Sequence, residues 1–252
     1  MAKIIKCRYE ILTPLDPEIG MDILKHIERV ARTCYKSETA ITEQSSANMV
    51  RRLIANRHLA MLEHFSLSVK FITDRGVSQE IIRHRIASYA QESTRYCNYG
   101  SDKFNNKITV ISPFSAMILK RPDSNNPINI GEWYDTWVDS VVESEKKYMK
   151  LIELGCPPEL ARGVLPTSLK TEIVTTMNLR EWRHFFELRV LGTTGKPHPQ
   201  IYELAKPLLF KLNKYIPVVF EDLVEMLRSK NPYADVSAMQ SAGAEVLRSA
   251  TE

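Results

Sequence analysis

Phe65, Leu67, Val69 and Phe71 alternate with Ser66, Ser68, Lys70 and Ile72, so one face of this segment is apolar and the other polar apart from Ile72. A period of two predicts a half-buried strand. Residues 3 to 12 predict a second strand, Lys107 to Ser112 a short third, and Thr171 to Met177 a further β-like stretch. Helical spacing governs about Pro17 to Cys34, Thr42 to Asn56, and Gly131 to Leu154. In the last of these, Trp133, Trp137, Val141, Tyr148 and Ile152 form a stripe read as core, and Gly155 stands just past the end. Asp74 is placed to cap a helix whose Val77, Ile81 and Ile82 face inward. Pro157 and Pro158 open a short helix through Arg162 that Pro166 stops. Asn178 begins a helix to about Arg189, and helices at about His198 to Tyr215, with Pro207 as a bend, and Val218 to Arg228 follow. Arg121 to Asn129, with two prolines and three asparagines, reads as a turn-rich surface connection, and the last twenty or so residues as a polar, loosely ordered tail. Helices and strands together predict an α+β fold. No Pro/Gly/Ser-rich linker divides the 252 residues, so one domain, 1–252, is expected.

Composition narrows the class. Charged residues make up 25% and apolar ones 44%, and the longest apolar runs fall far short of a membrane span, which predicts a soluble protein with no membrane partner. Met1 to Lys6 lacks the apolar core of a secretory signal, and Cys7, Cys34, Cys97 and Cys156 show no metal-type spacing. A reducing cytoplasm is the expected setting, and no metal is expected. The formal net charge of +4 is modest, so local anion sites are a better expectation than a general nucleic-acid surface.

Such a site is expected at residues 83 to 95, Arg-His-Arg-Ile-Ala-Ser-Tyr-Ala-Gln-Glu-Ser-Thr-Arg. Arg83 and Arg85 fall near the end of the Asp74 helix, with Ser88, Ser93 and Arg95 following in a loop. A guanidinium offers a planar fork of donors that matches phosphate oxygens, and hydroxyls and loop amides fill the remaining lone pairs. The plain alternative is a solvated face whose arginines pair with Glu80 and Glu92.

Arg-His-Arg followed by seven residues and Ser is the signature of the flavin-dependent thymidylate synthases, and the chain resembles that family. His58-Leu59-Ala60-Met61-Leu62-Glu63-His64, Ala161-Arg162-Gly163-Val164-Leu165-Pro166, Asn178-Leu179-Arg180 and Glu187-Leu188-Arg189 extend the resemblance over most of residues 30 to 190. It implies a mixed helix and sheet fold and a homotetramer whose active sites lie between subunits. The implied reaction is methylation of dUMP to dTMP, with carbon from methylenetetrahydrofolate and hydride from a bound FAD that NADPH reduces. Arg83, His84 and Arg85 would meet FAD, together with His58, Ala60, Gln91, Asn178, Leu179, Arg180 and His184. Ser93, Thr94 and Arg95 would hold the dUMP phosphate, each charge-assisted bond contributing roughly 1.5 to 3 kcal/mol. Arg83, Glu80, Gln91, Glu92 and Arg162 would be further substrate contacts. Arg189 is the expected catalytic residue, its cation facing the uracil ring and favouring loss of the proton at ring nitrogen 3. Taken without the resemblance, Arg189 is an ordinary cation at a helix C-terminus.

Several residues are read as non-catalytic. Ser93 has no adjacent base to make it a nucleophile, and a phosphate-site hydroxyl is its simpler role. Cys97 is expected to be a small half-buried residue, though a neighbouring Arg95 would lower its pKa. His64 and His198 are read as structural or peripheral. Ala90-Gln91 stands where the family motif often has Asn-Glu, and His184 where the flavin site often has Asn. Residues 190 to 197 form a longer connection than usual, with two glycines that suggest a flexible loop beside the pocket. Rival expectations are hydroxymethylation of a pyrimidine deoxynucleotide on the same scaffold and, more distantly, a non-catalytic protein binding a nucleic-acid backbone.

Overall fold

The structure, a computed structural model, describes residues 1–119 and 129–230. The connection expected at 121 to 129, apart from Asn129, and the expected tail lie outside the described residues.

In chain order the elements are β1 (Lys3–Ile5), β2 (Arg8–Ile11), α1 (Pro17–Thr33), α2 (Ser45–Ala55), β3 (Ser66–Asp74), α3 (Arg75–Ile81), β4 (Ala87–Gln91) and β5 (Thr109–Ile111). They continue with α4 (Phe114–Leu119), α5 (Ile130–Glu153), α6 (Pro158–Ala161), β6 (Lys170–Asn178), α7 (Leu179–Phe186), α8 (Pro199–Tyr215) and α9 (Pro217–Ser229). The fold is a mixed α+β architecture. Asp16 Oδ1 accepts from the Ile19 amide at 2.8 Å to start α1, and Asn129 Oδ1 accepts from Glu132 at 3.2 Å to start α5. Pro207 lies inside α8 without ending it.

The expected strand over residues 3 to 12 is two strands in two sheets. β1 pairs in parallel with β5, whereas β2 joins an antiparallel sheet ordered β2-β3-β6-β4. Alternation reports which face is buried and says nothing about a change of partner between Ile5 and Arg8. In the larger sheet, Leu67 lies opposite Met177, Val69 opposite Thr175 and Phe71 opposite Ile173, so the apolar side of β3 and β6 forms one buried face. Helices cover it: Leu24, Ile27, Trp182, Phe185, Leu208 and Phe220 all pack there, fully buried. Burying side chains of this size stabilises by about 1.5 to 3 kcal/mol each. Gly20 lets α1 approach the end of α8, because a Cβ there would come within 1.8 Å of the Tyr215 carbonyl oxygen. A smaller core joins Val110, Val141, Tyr148 and Leu169.

Two side-chain expectations change. Trp133 of the α5 stripe is 41% exposed, while Val141 and Tyr148 carry the contact with the core. Ile82 is also exposed, because α3 ends at Ile81 and the chain turns away. Among the described residues no helix is long and apolar enough to cross a membrane.

Candidate active site

Asp74, at the end of β3, starts α3 by accepting from the Val77 amide at 2.6 Å. It is itself held by Gln200 Nε2 at 2.5 Å, and burial raises its pKa. The helix lasts two turns and delivers Glu80, Arg83, His84 and Arg85 to the place where β6 passes into α7. Tyr89 secures that turn: its hydroxyl points at the Ile81 and His84 carbonyl oxygens, 2.9 and 2.5 Å away, and burial, with help from Glu181, pushes its pKa up to about 12. Residues 87 to 91 are therefore a strand, β4, where a loop with Ser88 in it was expected.

Opposite lies α7, started by Asn178, whose Oδ1 accepts from the Glu181 amide at 2.8 Å. The helix continues past Phe186 as one wider π turn, Glu187–Leu191, which carries Arg189 and ends where the Gly192 amide donates to the Glu187 carbonyl. Gly192 has φ +67°, and a Cβ there would meet the Gly195 carbonyl oxygen at 2.9 Å, so glycine is needed at this corner.

Arg189 is gripped on three sides. Nη1 donates to Glu80 Oε2 at 2.8 Å, Nη2 to the Glu80 carbonyl at 3.0 Å, and Nε to His84 Nε2 at 3.1 Å. Glu80 thus pairs with Arg189, where the plain alternative of a solvated, ion-paired face would have it meet a motif arginine. His84, buried, turns its other nitrogen to Glu181 Oε1 at 3.3 Å. Burial, then Arg189 and His184, pushes the His84 pKa down to about 4, so the ring is neutral at pH 7.

These residues wall a cleft of about 820 Å³, together with Arg83, Arg85, Ile86, His184 and the 194–198 segment. A second cleft of about 410 Å³ shares Ile86, Glu181 and His184 with it and adds Leu59, Glu63, Asn178 and Arg180. Arg180 Nη1 donates to Glu63 Oε1 at 2.6 Å. His58 and Ala60 are exposed and flank Leu59 without joining the walls. Leu179 is fully buried, and its amide donates to the Phe65 carbonyl at 3.0 Å, so its side chain is a core residue.

The remaining motif residues gather at the other end of β4. Gln91 Nε2 donates to Ser78 Oγ at 2.9 Å and Thr171 Oγ1 at 3.2 Å. Glu92 pairs with Lys170 at 2.9 Å and accepts from the Tyr99 hydroxyl at 3.2 Å. Thr94 Oγ1 accepts from Arg162 Nη1 at 3.1 Å, and the exposed Arg95 meets Glu159 at 3.1 Å. Cys97 is a free, half-buried thiol. Burial and Glu92 raise its pKa, so the lowering expected from Arg95 is not found.

Glu181 was missed in the sequence because a Glu three residues after an Asn reads as the first turn of a capped helix. His198, expected to be structural or peripheral, caps α8 by accepting from the Gln200 amide at 3.3 Å and also lines the larger cleft. His84, Glu181 and His184 place ligand-type atoms within 4.8 Å of one another. A metal on His84 Nδ1 would force the ring proton onto Nε2, against the Arg189 N–H, so the donor set does not suit a cation. The adjoining clefts offer Arg83, Arg85 and Arg180 for anionic groups of a ligand, alongside the carboxylates Glu63, Glu80, Glu181 and Glu187, with Ile86, 68% exposed, as apolar surface and Asn178 as an amide edge.

A family profile described as "Thymidylate synthase complementing protein" matches residues 21–218. The flavin-dependent thymidylate synthase of Geobacter sulfurreducens is 31% identical over 215 residues, covering 82% of each chain. That of Pyrococcus furiosus is 35% identical over 176 residues, 69% of this chain and 65% of its own. The crystal structure of a UMP/dUMP methylase, PolB from Streptomyces cacaoi bound with 5-Br dUMP, superposes with a TM-score of 0.70 at 20% identity, over 91% of this chain and 98% of that one. The shared architecture and the matched profile converge: this chain belongs to the flavin-dependent thymidylate synthase family.

Proposed function

We propose that the protein, acting as one domain within a homotetramer, methylates dUMP to dTMP with methylenetetrahydrofolate as carbon donor and FAD, reduced by NADPH, as hydride source. The observation that carries the reading is Arg189, fixed by Glu80 and His84 in a cleft that also holds the Arg83-His84-Arg85 motif. Bound reduced flavin supplies the hydride. Arg83, Arg85, Asn178, Arg180 and His184 would hold it in the two adjoining clefts. Arg189 retains two N–H groups beyond its three bonds to the described residues, one on each Nη, and these can face a uracil carbonyl. A fixed cation there stabilises charge on the ring, easing loss of the nitrogen 3 proton and making carbon 5 a better nucleophile.

The phosphate would be held by Ser93, Thr94, Arg95 and Arg162, with Glu92 and Gln91 near the sugar. β4, four steps of about 3.3 Å from Ala87 to Gln91, spans about 13 Å between these groups and Arg189. A separation of this order fits a site in which the phosphate donors and Arg189 come from different copies of the chain. Cytoplasmic residence suits the four free thiols. The test is anaerobic incubation of purified protein with dUMP, methylenetetrahydrofolate, FAD and NADPH, with the nucleotide product weighed by mass spectrometry. A methyl-sized gain is expected; a hydroxymethyl-sized gain, or no product from protein that holds FAD, would overturn the assignment.

A further inference from the structure

The cleft contains one buried carboxylate that the proposed reaction does not use. Glu181 is 6% exposed on the first turn of α7 and lies 3.3 Å from His84 Nδ1. The ring's other nitrogen, Nε2, accepts from Arg189 Nε at 3.1 Å. A guanidinium can only donate, so His84 Nε2 must present a lone pair. A neutral imidazole carries one N–H, which therefore sits on Nδ1, pointing at the carboxylate. Protonating His84 would set an N–H against the Arg189 N–H, and burial with Arg189 and His184 already opposes that charge.

We propose that Glu181 is a positioning residue: its carboxylate fixes the Nδ1–H tautomer of His84, and the freed Nε2 lone pair holds the guanidinium of Arg189 in the plane that Glu80 sets from the other side. Glu181, His84, Arg189 and Glu80 thus form one chain of charge-assisted bonds across the cleft, from α7 through the motif turn to the π turn and back to α3. Without the carboxylate, the ring is free to carry its proton on Nε2, which turns an acceptor into a donor facing a donor. The guanidinium would then swing on its Glu80 bonds. The inference rests on the catalytic reading of Arg189 for its consequence, and on geometry alone for the tautomer.

The experiment is nitrogen NMR of the FAD-loaded enzyme labelled with ¹⁵N-histidine, with the His84 signals assigned from a His84→Asn sample. The wild type is expected to show a protonated Nδ1 and an unprotonated Nε2 across pH 6 to 8. Glu181→Leu should lose that pattern and lower kcat for dUMP about 10- to 100-fold at unchanged FAD content. Glu181→Gln, whose amide oxygen can accept the same proton, should recover part of both. A wild-type Nε2–H tautomer overturns the proposal, as does a Glu181→Leu or Glu181→Gln enzyme with altered tautomer and undiminished kcat. Should Arg189→Ala turn over normally while the wild-type tautomer stands, the catalytic reading of Arg189 fails and the positioning role of Glu181 toward it survives.

Discussion

The two ends of β4 carry two halves of one motif, and they are built differently. At the Ala87 end, Arg189 is half-buried and bonded to Glu80 and to His84, and the His84 ring is in turn backed by Phe185, the two ring centres 5.0 Å apart. At the Gln91 end, the Arg95 side chain is 59% exposed and, among the described residues, its carboxylate partner is Glu159, itself 48% exposed. The first is built by bonds within the chain itself. The second holds its cation in solvent, where an ion pair contributes about 0 to 1 kcal/mol. On the proposed function, the uracil to be activated at the first end needs a fixed field, while the phosphate at the second needs only converging donors. The contrast predicts that chemistry fails at one end and affinity at the other.

Arg189→Ala offers the harshest test. Turnover should fall by roughly a thousandfold or more, with FAD content retained, in a dTMP assay on flavin-loaded protein. Near-normal turnover would mean that the pre-built end is scaffold only. Arg95→Ala should raise the dUMP concentration needed for half-maximal rate by roughly 10- to 100-fold, as expected for one lost charge-assisted phosphate contact, with kcat little changed. A drop in kcat without a change in dUMP requirement would erase the division of labour.

Acid should act on the pre-built end. His84 has its folded pKa pushed below the ordinary 6.5 to about 4, so between those values the unfolded chain takes up a proton that the folded one refuses. That contribution to stability is complete above about 6.5 and is lost as the pH falls toward about 4. Urea unfolding at pH 7 and pH 5 should show the decline, and His84→Asn should flatten this part of it. At the open end, Glu159→Ala should cost less than about 1 kcal/mol by the same urea measurement, since the pair it breaks is solvated.

Alternation from Phe65 to Phe71 gave β3 almost residue for residue, and Asp74, Asn178 and the paired prolines marked helix starts that the structure keeps. β4 escaped detection because Ala87, Ser88 and Ala90 offer little apolar contrast between faces; its place is set by pairing with β6, Ala87 opposite Met177 through Gln91 opposite Ile173. The motif announced a cluster of cations, but the partners that shape it are remote: Glu80 and Arg189 lie 109 positions apart, and Glu92 and Lys170 lie 78 apart. Glu181 was hidden by its own ordinariness as a helix-start carboxylate. Local pattern reveals elements, and a site assembled from four of them is visible only once they have packed.

The π turn at Glu187–Leu191 gives this site an unusual sensitivity to chain length. An α-helix advances about 100° per residue, so a single inserted residue absorbed as one wide turn resets the azimuth of everything after it. Arg189 points at His84 and Glu80 because α7 has been dephased just before reaching it. Deleting one residue from the turn would let the helix close into regular α pitch and rotate the following segment by about a quarter turn, carrying the guanidinium away from the cleft with its chemistry intact. Conservative replacements are absorbed by this helix more readily than any change in its residue count.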